Sequence, residues 1–293
     1  MGILSKLFGG KKKRLNYQNR FEMIHSAISG TMSKVYKAKD RETGEIVALK
    51  ILDPKKTADF EARFKDPRFK NNPKLREGQI AVKFNHPYIV RTLEEGFTVD
   101  GEQYLIMEFL EGTGLNSVLM NKQDLLAGAR LHYIRQVAEA LQEVHEKGFI
   151  HRDICPRNLL FTGDANILKL TDFGLTVPNR PPYTDPGNRT GTPDYMAPEL
   201  ARRKPTDQRL DIFSFGVTIY ELCTRQLPWP KGDSGLAAMA HVYPPEPITT
   251  YRPGINITLA DAIHSCIDPD PKQRIESIGK FLRAIAKVQY EDD

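Results

Sequence analysis

The first third of the chain alternates short apolar runs with turn signals. Between Arg20 and about Phe109, five runs are rich in β-branched and aromatic residues, and tetrads such as ETGE and VDGE separate them. One helix is expected to interrupt this pattern, from about Pro73 to Phe84. The predicted strands are HSAIS, KVYKAKD, IVALKIL, YIVRTLEEGFTV and QYLIMEF. This part of the chain is therefore predicted to be β-rich with one main helix.

After Gly112 the spacing of the apolar positions becomes helical. A second helix, over about 207–224, is apolar almost all round, which predicts burial on every side. Two more helical stretches lie near 258–267 and 272–290. The first predicted helix after Gly112, which precedes these three, has an apolar face that comprises Leu131, Ile134, Val137, Ala138, Leu141 and Val144.

Together these patterns predict an α+β chain with two lobes. A basic tail occupies residues 1–19, a small β-rich lobe with its one main helix occupies residues 20–110, and a larger α-helical lobe occupies residues 111–293. The two lobes are expected to form a single domain over residues 20–290, with a cleft between them.

Composition is that of an ordinary globular protein, since 40% of the 293 residues are hydrophobic and 27% are charged. No apolar run approaches the roughly 18 residues of a membrane-spanning helix, and no signal-peptide pattern opens the sequence. Cys155, Cys223 and Cys266 are far apart and are not in metal-ligand spacing. They are typical of reduced thiols, so a cytoplasmic location is predicted.

The net charge of +5 comes from the tail. Residues 1–14 contain five basic residues and no acidic one, which leaves 37 basic and 37 acidic residues in the rest of the chain. The neutral body gives no indication of nucleic-acid binding. The tail also has an apolar cluster, so two hypotheses stay open: a merely solvated segment, or weak peripheral contact with an anionic membrane surface. The cluster comprises Ile3, Leu4, Leu7 and Phe8.

The candidate chemistry begins with HRDICPRN at 151–158 and DFG at 172–174. Asp153 can accept the proton of a substrate hydroxyl, and Asn158 and Asp172 can hold a metal ion. A hairpin between the two motifs, NLLFTGDANILKLT, is expected to bring both metal ligands to one end of the cleft. Any one of these short motifs arises by chance, whereas the ordered set does not.

Two further charged residues fit the same chemistry. Lys50 ends the run VALK within the predicted strand IVALKIL, and a lysine on a strand can reach the α and β phosphates of a nucleotide. Glu77 lies in the predicted helix of the first lobe, where an ion pair could orient Lys50. Alone, each residue would more often be an ordinary solvated surface residue, so its assignment to the site depends on the motifs that follow along the chain.

From about Arg20 to Lys287 the sequence resembles the eukaryotic-type (Hanks-type) serine/threonine protein kinase family. GTPDYMAPE at 191–199 is similar to the family's substrate-docking segment, and DIFSFG at 211–216 to its buried helix start. The resemblance implies a bilobal kinase fold, ATP and Mg²⁺ as cofactors, protein substrates, catalytic roles for Arg157 and Thr192, and a structural pair between Glu199 and Arg274. It implies ATP contacts from Ile28, Gly30, Val35, Ala48, Lys50, Glu77, Met107, Glu108 and Leu160.

The sequence departs from the family pattern in three places. Gly30 is the one remaining glycine of the glycine-rich loop. Cys155 stands where these kinases usually have a lysine, and Arg157, two residues later, can supply similar charge. The stretch TADFEARFKDPRFKNNP before Glu77 is longer than usual, and is predicted to be a surface insertion or, alternatively, a regulatory element beside the helix.

The function predicted from this resemblance is transfer of the γ-phosphate of Mg-ATP to serine or threonine hydroxyls of proteins, because GTPDYMAPE is the serine/threonine form. Regulation is expected through the activation segment 172–199, with Thr184 and Thr190 as phosphate acceptors, Tyr183 as a poorer one, and Arg152 as the cation that would bind the phosphate. The alternatives are a pseudokinase that acts as a nucleotide-binding scaffold, and a small-molecule phosphotransferase, which lacks such a docking segment.

Substrate selection can also be predicted from the resemblance. Family members that prefer an arginine three residues before the phosphorylated side chain bind it with two carboxylates. The two positions align to Gly114 and Arg157, so this preference is expected to be absent.

Overall fold

The computed structural model describes residues 14–25, 27–29, 32–121, 124–187, 189–229 and 244–292. It divides into two compact units, the first comprising Met1–Lys65 and Arg91–Phe109, the second Asp66–Val90 and Leu110–Asp293. Residues 66–90 thus group with the helical residues, and the predicted lobe boundary at residue 110 stays a prediction. The predicted α+β class is confirmed, since the first unit contains the main sheet and the second most of the helices.

The main sheet of the first unit is antiparallel. The strands are β1 Phe21–Met23, β2 Ile28–Ser29, β3 Ser33–Asp40, β4 Ile46–Leu52, β5 Thr92–Phe97 and β6 Gln103–Glu108. They follow the order β1-β3-β4-β6-β5, and β2 pairs with β3. Alternation along each strand sends one set of side chains into a core that includes Phe21, Val47, Leu49 and Ile106.

The charged insertion is ordered in the structure. Asp53 accepts a hydrogen bond from the backbone N–H of Lys56 and caps the helix Pro54–Glu61, whose first residue is a proline. Phe60, Phe64 and Phe69 are buried. Most residues of the insertion are exposed, as expected of a surface insertion, but three phenyl rings are removed from water.

The second unit contains the long helices. Arg130–Glu146 buries the predicted apolar face, and Arg209–Thr224 buries 13 of its 16 residues, so the prediction of burial on every side is confirmed. The shorter helices are Glu77–Ala81, Leu115–Met120, Pro198–Ala201, Ile248–Tyr251, Ile257–Cys266 and Ile278–Ala284. Two short strand pairs lie in the described part of this unit. Leu159–Phe161 with Leu168–Leu170 forms the predicted hairpin, and Val177–Pro178 pairs with Phe149–Ile150, which was not predicted.

Two predicted helices are shorter than expected. The helix predicted over Pro73–Phe84 covers Glu77–Ala81, and the one predicted over 272–290 covers Ile278–Ala284. Ser277 caps the latter by accepting a hydrogen bond from the N–H of Lys280, which sets its first turn. Within the described ranges, no helix combines the length and the hydropathy that crossing a membrane requires. Of the predicted tail of residues 1–19, residues 1–13 lie outside the described residues. The rest is part of the first unit, since Leu15 is buried in its core and Tyr17–Arg20 is a short helix.

Candidate active site

A buried carboxylate shapes the loop that carries the HRD motif. Asp211, fully buried in the helix Arg209–Thr224, accepts hydrogen bonds from the backbone N–H groups of His151 (2.7 Å) and Arg152 (2.8 Å). It also contacts His145 Nε2 at 3.0 Å. Arg152 has a φ of 71°, a left-handed conformation that a non-glycine residue adopts at an energetic cost. The two bonds to Asp211 offset that cost, so Asp211 holds the backbone of the HRD motif in place.

The His151 ring fixes the next turn of the loop. Its Nδ1 accepts a hydrogen bond from the N–H of Asp153 (3.3 Å), and its Nε2 faces the carbonyl of Thr171 at 3.3 Å, so Nε2 carries the proton. Burial lowers the pKa of His151 below its ordinary value, which keeps the ring neutral. The ring lies 5.1 Å from that of Phe173, which stacks on Phe84 at 4.7 Å. The HRD and DFG motifs are therefore packed against each other.

Asp153 is the centre of a hydrogen-bonded cluster. Its Oδ1 accepts from the backbone N–H of Thr192 at 2.9 Å and from the Thr192 hydroxyl at 2.7 Å. Its Oδ2 accepts from Asn158 Nδ2 at 2.9 Å, and that amide also donates to the Asp153 carbonyl at 2.7 Å. An ionised carboxylate has about four lone-pair sites, so acceptor capacity remains for a further hydroxyl. The predicted proximity of Thr192 to Asp153 is confirmed.

Arg157 and Cys155 adjoin this cluster in different ways. Arg157 is exposed, and its Nη2 donates to the Thr192 hydroxyl oxygen at 2.9 Å. Cys155 is fully buried, and its sulfur lies 3.6 Å from the same hydroxyl oxygen. Burial raises the pKa of the Cys155 thiol, so the group is a neutral thiol at neutral pH. Because the Cys155 thiol is neutral, the positive charge beside Thr192 comes from Arg157.

The two predicted metal ligands lie next to each other along the hairpin. The N–H of Thr171 donates to the carbonyl of Asn158 at 3.0 Å, which brings Asp172, the next residue, beside Asn158. Both Asn158 amide bonds use the nitrogen, so its Oδ1 is the atom that can ligate a cation. An amide oxygen and a carboxylate are ligands that suit Mg²⁺, which usually takes only one or two carboxylates from protein. The donor set therefore fits the ion that the family implies.

Glu77 lies beside the DFG motif. It is 7% exposed at the start of the helix Glu77–Ala81. A Cβ added at Gly174 would lie 3.4 Å from Glu77 Oε2 and 3.2 Å from Asp172 Oδ1. Gly174 thus lets two carboxylate side chains approach the same stretch of backbone.

Four of the predicted ATP contacts share one face of the first unit's sheet. Val35 pairs with Lys50, Ala48 pairs with Met107, and Ala48 precedes Lys50 by two residues on the same strand. Side chains at these positions point to the same side of the sheet, opposite the hydrophobic core. Lys50 is 7% exposed. Glu108 accepts from the N–H of Arg91 through its side chain at 2.7 Å.

The remaining predicted ATP contacts divide between the units. Ile28 pairs with Val35 through its backbone, and Gly30 lies outside the described residues. Leu160 is half-buried in the second unit and forms an isolated bridge with Gly114.

The predicted regulatory residues differ in accessibility. Thr184 is half-buried, whereas Thr190 is 8% exposed and its hydroxyl has no hydrogen-bond partner among the described residues. Arg152 is 4% exposed, and burial lowers the pKa of its guanidinium to about 10. Phosphorylation of Thr190, or phosphate binding by Arg152, would therefore require the activation segment to rearrange.

The docking segment is fixed by two polar pairs. Glu199 and Arg274 form a buried two-bond pair at 2.6 and 2.7 Å, as predicted. The Tyr195 hydroxyl donates to Glu221, and burial together with the Glu221 charge raises the pKa of that tyrosine. The contacts of His145 and Tyr195 were missed from the sequence, because both residues bond to partners far along the chain.

Comparison with known proteins yields one family. A family model described as "Protein kinase domain" matches residues 24–286. The chain is similar to a probable serine/threonine-protein kinase of Clostridium perfringens, with 31% identity over 284 residues that cover 93% of this chain and 39% of the relative. It is 30% identical to serine/threonine-protein kinase pkn3 of Myxococcus xanthus, over 95% of this chain and 51% of the relative. It is 32% identical to serine/threonine-protein kinase PknA of Mycobacterium tuberculosis, over 92% of this chain and 61% of the relative.

These relatives are longer proteins. The chain spans between 39% and 61% of their length, and the shared region is the one that contains the site described above.

Proposed function

The chain belongs to the protein kinase family, and from this premise we propose that it is a serine/threonine protein kinase. It transfers the γ-phosphate of ATP to a serine or threonine hydroxyl of a protein substrate. The observation that carries the proposal is the cluster of Asp153, Asn158 and Thr192, in which one carboxylate is held by three hydrogen bonds from two sides. A carboxylate held in this way can orient a hydroxyl without moving.

Asp153 is the proposed proton acceptor. The hydroxyl oxygen of the substrate forms a bond to the γ-phosphorus, the bond from the γ-phosphorus to the β–γ bridging oxygen breaks, and ADP leaves. The hydroxyl proton passes to Asp153. Thr192 and Asn158 keep the carboxylate in position, and Arg157 adds positive charge beside it through its bond to Thr192.

Asn158 Oδ1 and the Asp172 carboxylate are the proposed ligands of Mg²⁺. The ion would neutralise negative charge on the phosphate oxygens. The chain's own contribution is to hold the two oxygen ligands in place. Asn158 is held by Asp153, and the Asp172 carboxylate accepts from the N–H of Gly174 at 3.2 Å.

Lys50 is the proposed contact for the α and β phosphates, and the sheet face that carries Val35, Ala48 and Met107 is the proposed surface for the adenine ring. The support is that these side chains share one face, since an aromatic base requires an apolar surface and the phosphates require a cation nearby. Glu77 is proposed to orient the lysine, as the family resemblance implies.

The choice of serine or threonine over tyrosine is proposed from two observations. The relatives carry serine/threonine-protein kinase in their names. The docking segment 191–199 has the sequence GTPDYMAPE. Because the chain spans only part of the relatives, its substrates are proposed only as a class, namely proteins.

Phosphorylation of a generic protein substrate with Mg-ATP tests the proposal. Asp153→Asn is expected to lower kcat by at least about 100-fold while ATP affinity stays within about twofold, because the change removes the proton acceptor and no phosphate contact. Lys50→Met is expected to lose activity through misplaced phosphates. Asp261→Asn, an exposed aspartate in the helix Ile257–Cys266, is the matched control and is expected to behave as wild type.

Wild-type rates in both the Asp153 and Lys50 variants would contradict the proposal. ATP binding by the wild type without any phosphoryl transfer would instead favour the scaffold alternative.

A further inference from the structure

Part of the insertion contacts the activation segment within the second unit. Tyr183 is 4% exposed, and its hydroxyl donates to the backbone carbonyl of Asn72 at 2.7 Å. Its ring lies 5.1 Å from that of Phe69, at an interplanar angle of 57°. Phe69 is itself 8% exposed. A buried aromatic pair and a part-buried hydrogen bond therefore join two segments that are 111 residues apart.

The insertion presents this contact on a defined turn. Asp66 accepts from the N–H of Arg68 at 2.9 Å and forms an ion pair with the same residue at 3.0 Å. The single turn Pro67–Phe69 follows, and the N–H of Asn72 donates to the carbonyl of Phe69 at 2.9 Å. These local bonds fix where Phe69 and the Asn72 carbonyl lie. The turn therefore has local restraints of its own besides its contact with Tyr183.

Tyr183 is the middle of three attachment points along the activation segment. Before it, Val177–Pro178 pairs with Phe149–Ile150. After it, Thr192 binds Asp153 through two hydrogen bonds. At Tyr183 itself the neighbouring Thr184 carbonyl accepts from the N–H of Thr206 at 2.9 Å. Among the described residues between 178 and 192, two other long-range backbone bonds restrain the segment, from Asn179 to the Gly148 carbonyl at 2.8 Å and from Thr206 to the Thr184 carbonyl. The tyrosine contact therefore adds a restraint near the middle of the segment.

We propose that residues 66–72 are a positioning element that docks the activation segment through Tyr183 and so keeps Thr192 on Asp153. The catalytic consequence rests on the proposed kinase function, whereas the docking itself does not. The chemistry also determines which state of Tyr183 can dock. A free phenol donates to the Asn72 carbonyl, whereas a phosphate ester has only acceptors and would repel that carbonyl.

Limited proteolysis tests the docking directly. Trypsin cuts after arginine except before proline, so Arg180, which precedes Pro181, is resistant, and the exposed Arg189 is the site that reports on the segment. Cleavage between Arg189 and Thr190 would be followed by mass spectrometry under native conditions. Cleavage after Arg135, inside the long helix Arg130–Glu146, is the internal reference for global unfolding.

Tyr183→Phe is expected to speed cleavage at Arg189 roughly fivefold relative to the reference site, since it removes one hydrogen bond and keeps the ring. Phe69→Ala is expected to speed it by more than about tenfold, and Phe69→Leu by less, because leucine retains apolar contact. Tyr251→Phe, at a tyrosine that is 46% exposed, is the control and is expected to match wild type. For Phe69→Ala, kcat is expected to fall roughly tenfold with the KM for ATP unchanged.

Unchanged cleavage at Arg189 in both Tyr183→Phe and Phe69→Ala would overturn the proposal. An equal rise at Arg135 would also overturn it, because the variants would then unfold the whole unit and not release one segment. If the cleavage pattern is as expected but wild-type protein has no kinase activity, the docking stands and the proposed function fails.

Discussion

At the scale of single residues, Arg157 bears on two properties, the charge beside the proposed proton acceptor and the selection of substrate residues. Its guanidinium donates to Thr192, which in turn donates to Asp153, so a cation adjoins the proposed proton acceptor. By the family resemblance, the same residue also aligns to one of the two acidic positions that would bind a substrate arginine. Gly114, the other aligned position, is the N-cap of the helix Leu115–Met120 and has no side chain to offer. A basic substrate residue that approaches Arg157 is therefore expected to meet a like charge.

The chain is therefore expected not to select arginine three residues before the phosphorylated side chain, and Arg157→Glu is expected to create roughly fivefold selection for it. A positional-scanning peptide library measures the preference as a ratio, which is independent of any overall loss of rate. Arg202→Glu, at another exposed arginine of the second unit, is the control and should leave the wild-type profile unchanged. Strong arginine selection by the wild type would refute the argument.

Which site residues the sequence could reveal depends on how far apart the partners lie. Asp153 and Asn158 are five residues apart in one motif, which predicted both as site residues, and the structure joins them by a hydrogen bond. Asp172 and Thr192 belong to other motifs whose order along the chain indicates a common site. His145 and Asn72 carry no such signal, because a histidine in a helix and an asparagine in a charged loop are common residues. Their partners, Asp211 and Tyr183, are 66 and 111 residues away, and only the folded chain brings them together.

At the scale of elements, the helix Arg209–Thr224 shows a conflict between helix propensity and packing. Alanine is a better helix former than glycine by about 1 kcal/mol. A Cβ at Gly216, however, would lie 2.5 Å from Ile267 Cγ2 and 2.6 Å from Cys266 Cβ. Both atoms are buried at the end of the neighbouring helix Ile257–Cys266, so neither can move into solvent. The close approach of the two helices therefore requires glycine at this position.

Gly216→Ala is accordingly expected to lower the free energy of unfolding by about 2 kcal/mol, because overpacking outweighs the propensity gain. Urea denaturation followed by circular dichroism measures the change. Gly254→Ala is the matched control, since its added Cβ meets no atom of the described residues within 4 Å. An increase in stability for the Gly216 variant would show that propensity dominates.

The elements that the sequence predicted well are those with enough apolar repeats to define a face. Arg130–Glu146 and Arg209–Thr224 bury the predicted positions over four turns or more. The helix Ile278–Ala284 was predicted too long because the residues before it form a turn and not a helix. Arg274 donates to the carbonyls of Asp268 and Pro269 as well as to Glu199, which holds its segment in a turn. Apolar spacing alone does not encode that turn.

At the scale of the whole chain, one carboxylate links segments that are far apart in the second unit. Glu291 is 6% exposed and accepts hydrogen bonds from the backbone N–H groups of Gly128 (3.1 Å) and Arg130 (2.6 Å). The side chains of Arg130 and Arg252 each donate to it at 2.8 Å. It thus satisfies N–H groups at the start of the helix Arg130–Glu146, where a negative charge also suits the helix dipole.

This arrangement makes the stability of the fold depend on pH. Burial acts to raise the pKa of Glu291, but hydrogen bonds from Arg252 and Arg130 together outweigh burial and lower that pKa below its ordinary value. A carboxyl whose pKa is lower in the folded state contributes stability that is fully present above the pKa of the unfolded chain. The contribution is lost as the pH falls through the folded-state pKa.

Glu291→Gln is therefore expected to lower the free energy of unfolding by about 3 kcal/mol at pH 7, because it leaves two arginines near a neutral amide. The difference from wild type is expected to shrink as the pH falls below the ordinary glutamate pKa of the unfolded chain, about 4.3, toward the lowered pKa of the folded state. Urea unfolding at several pH values measures both effects. Glu139→Gln, at an exposed position of the helix Arg130–Glu146, is the control and should show neither effect. A stability difference that stayed constant down to pH 2 would mean that Glu291 acts through its shape and not through its charge.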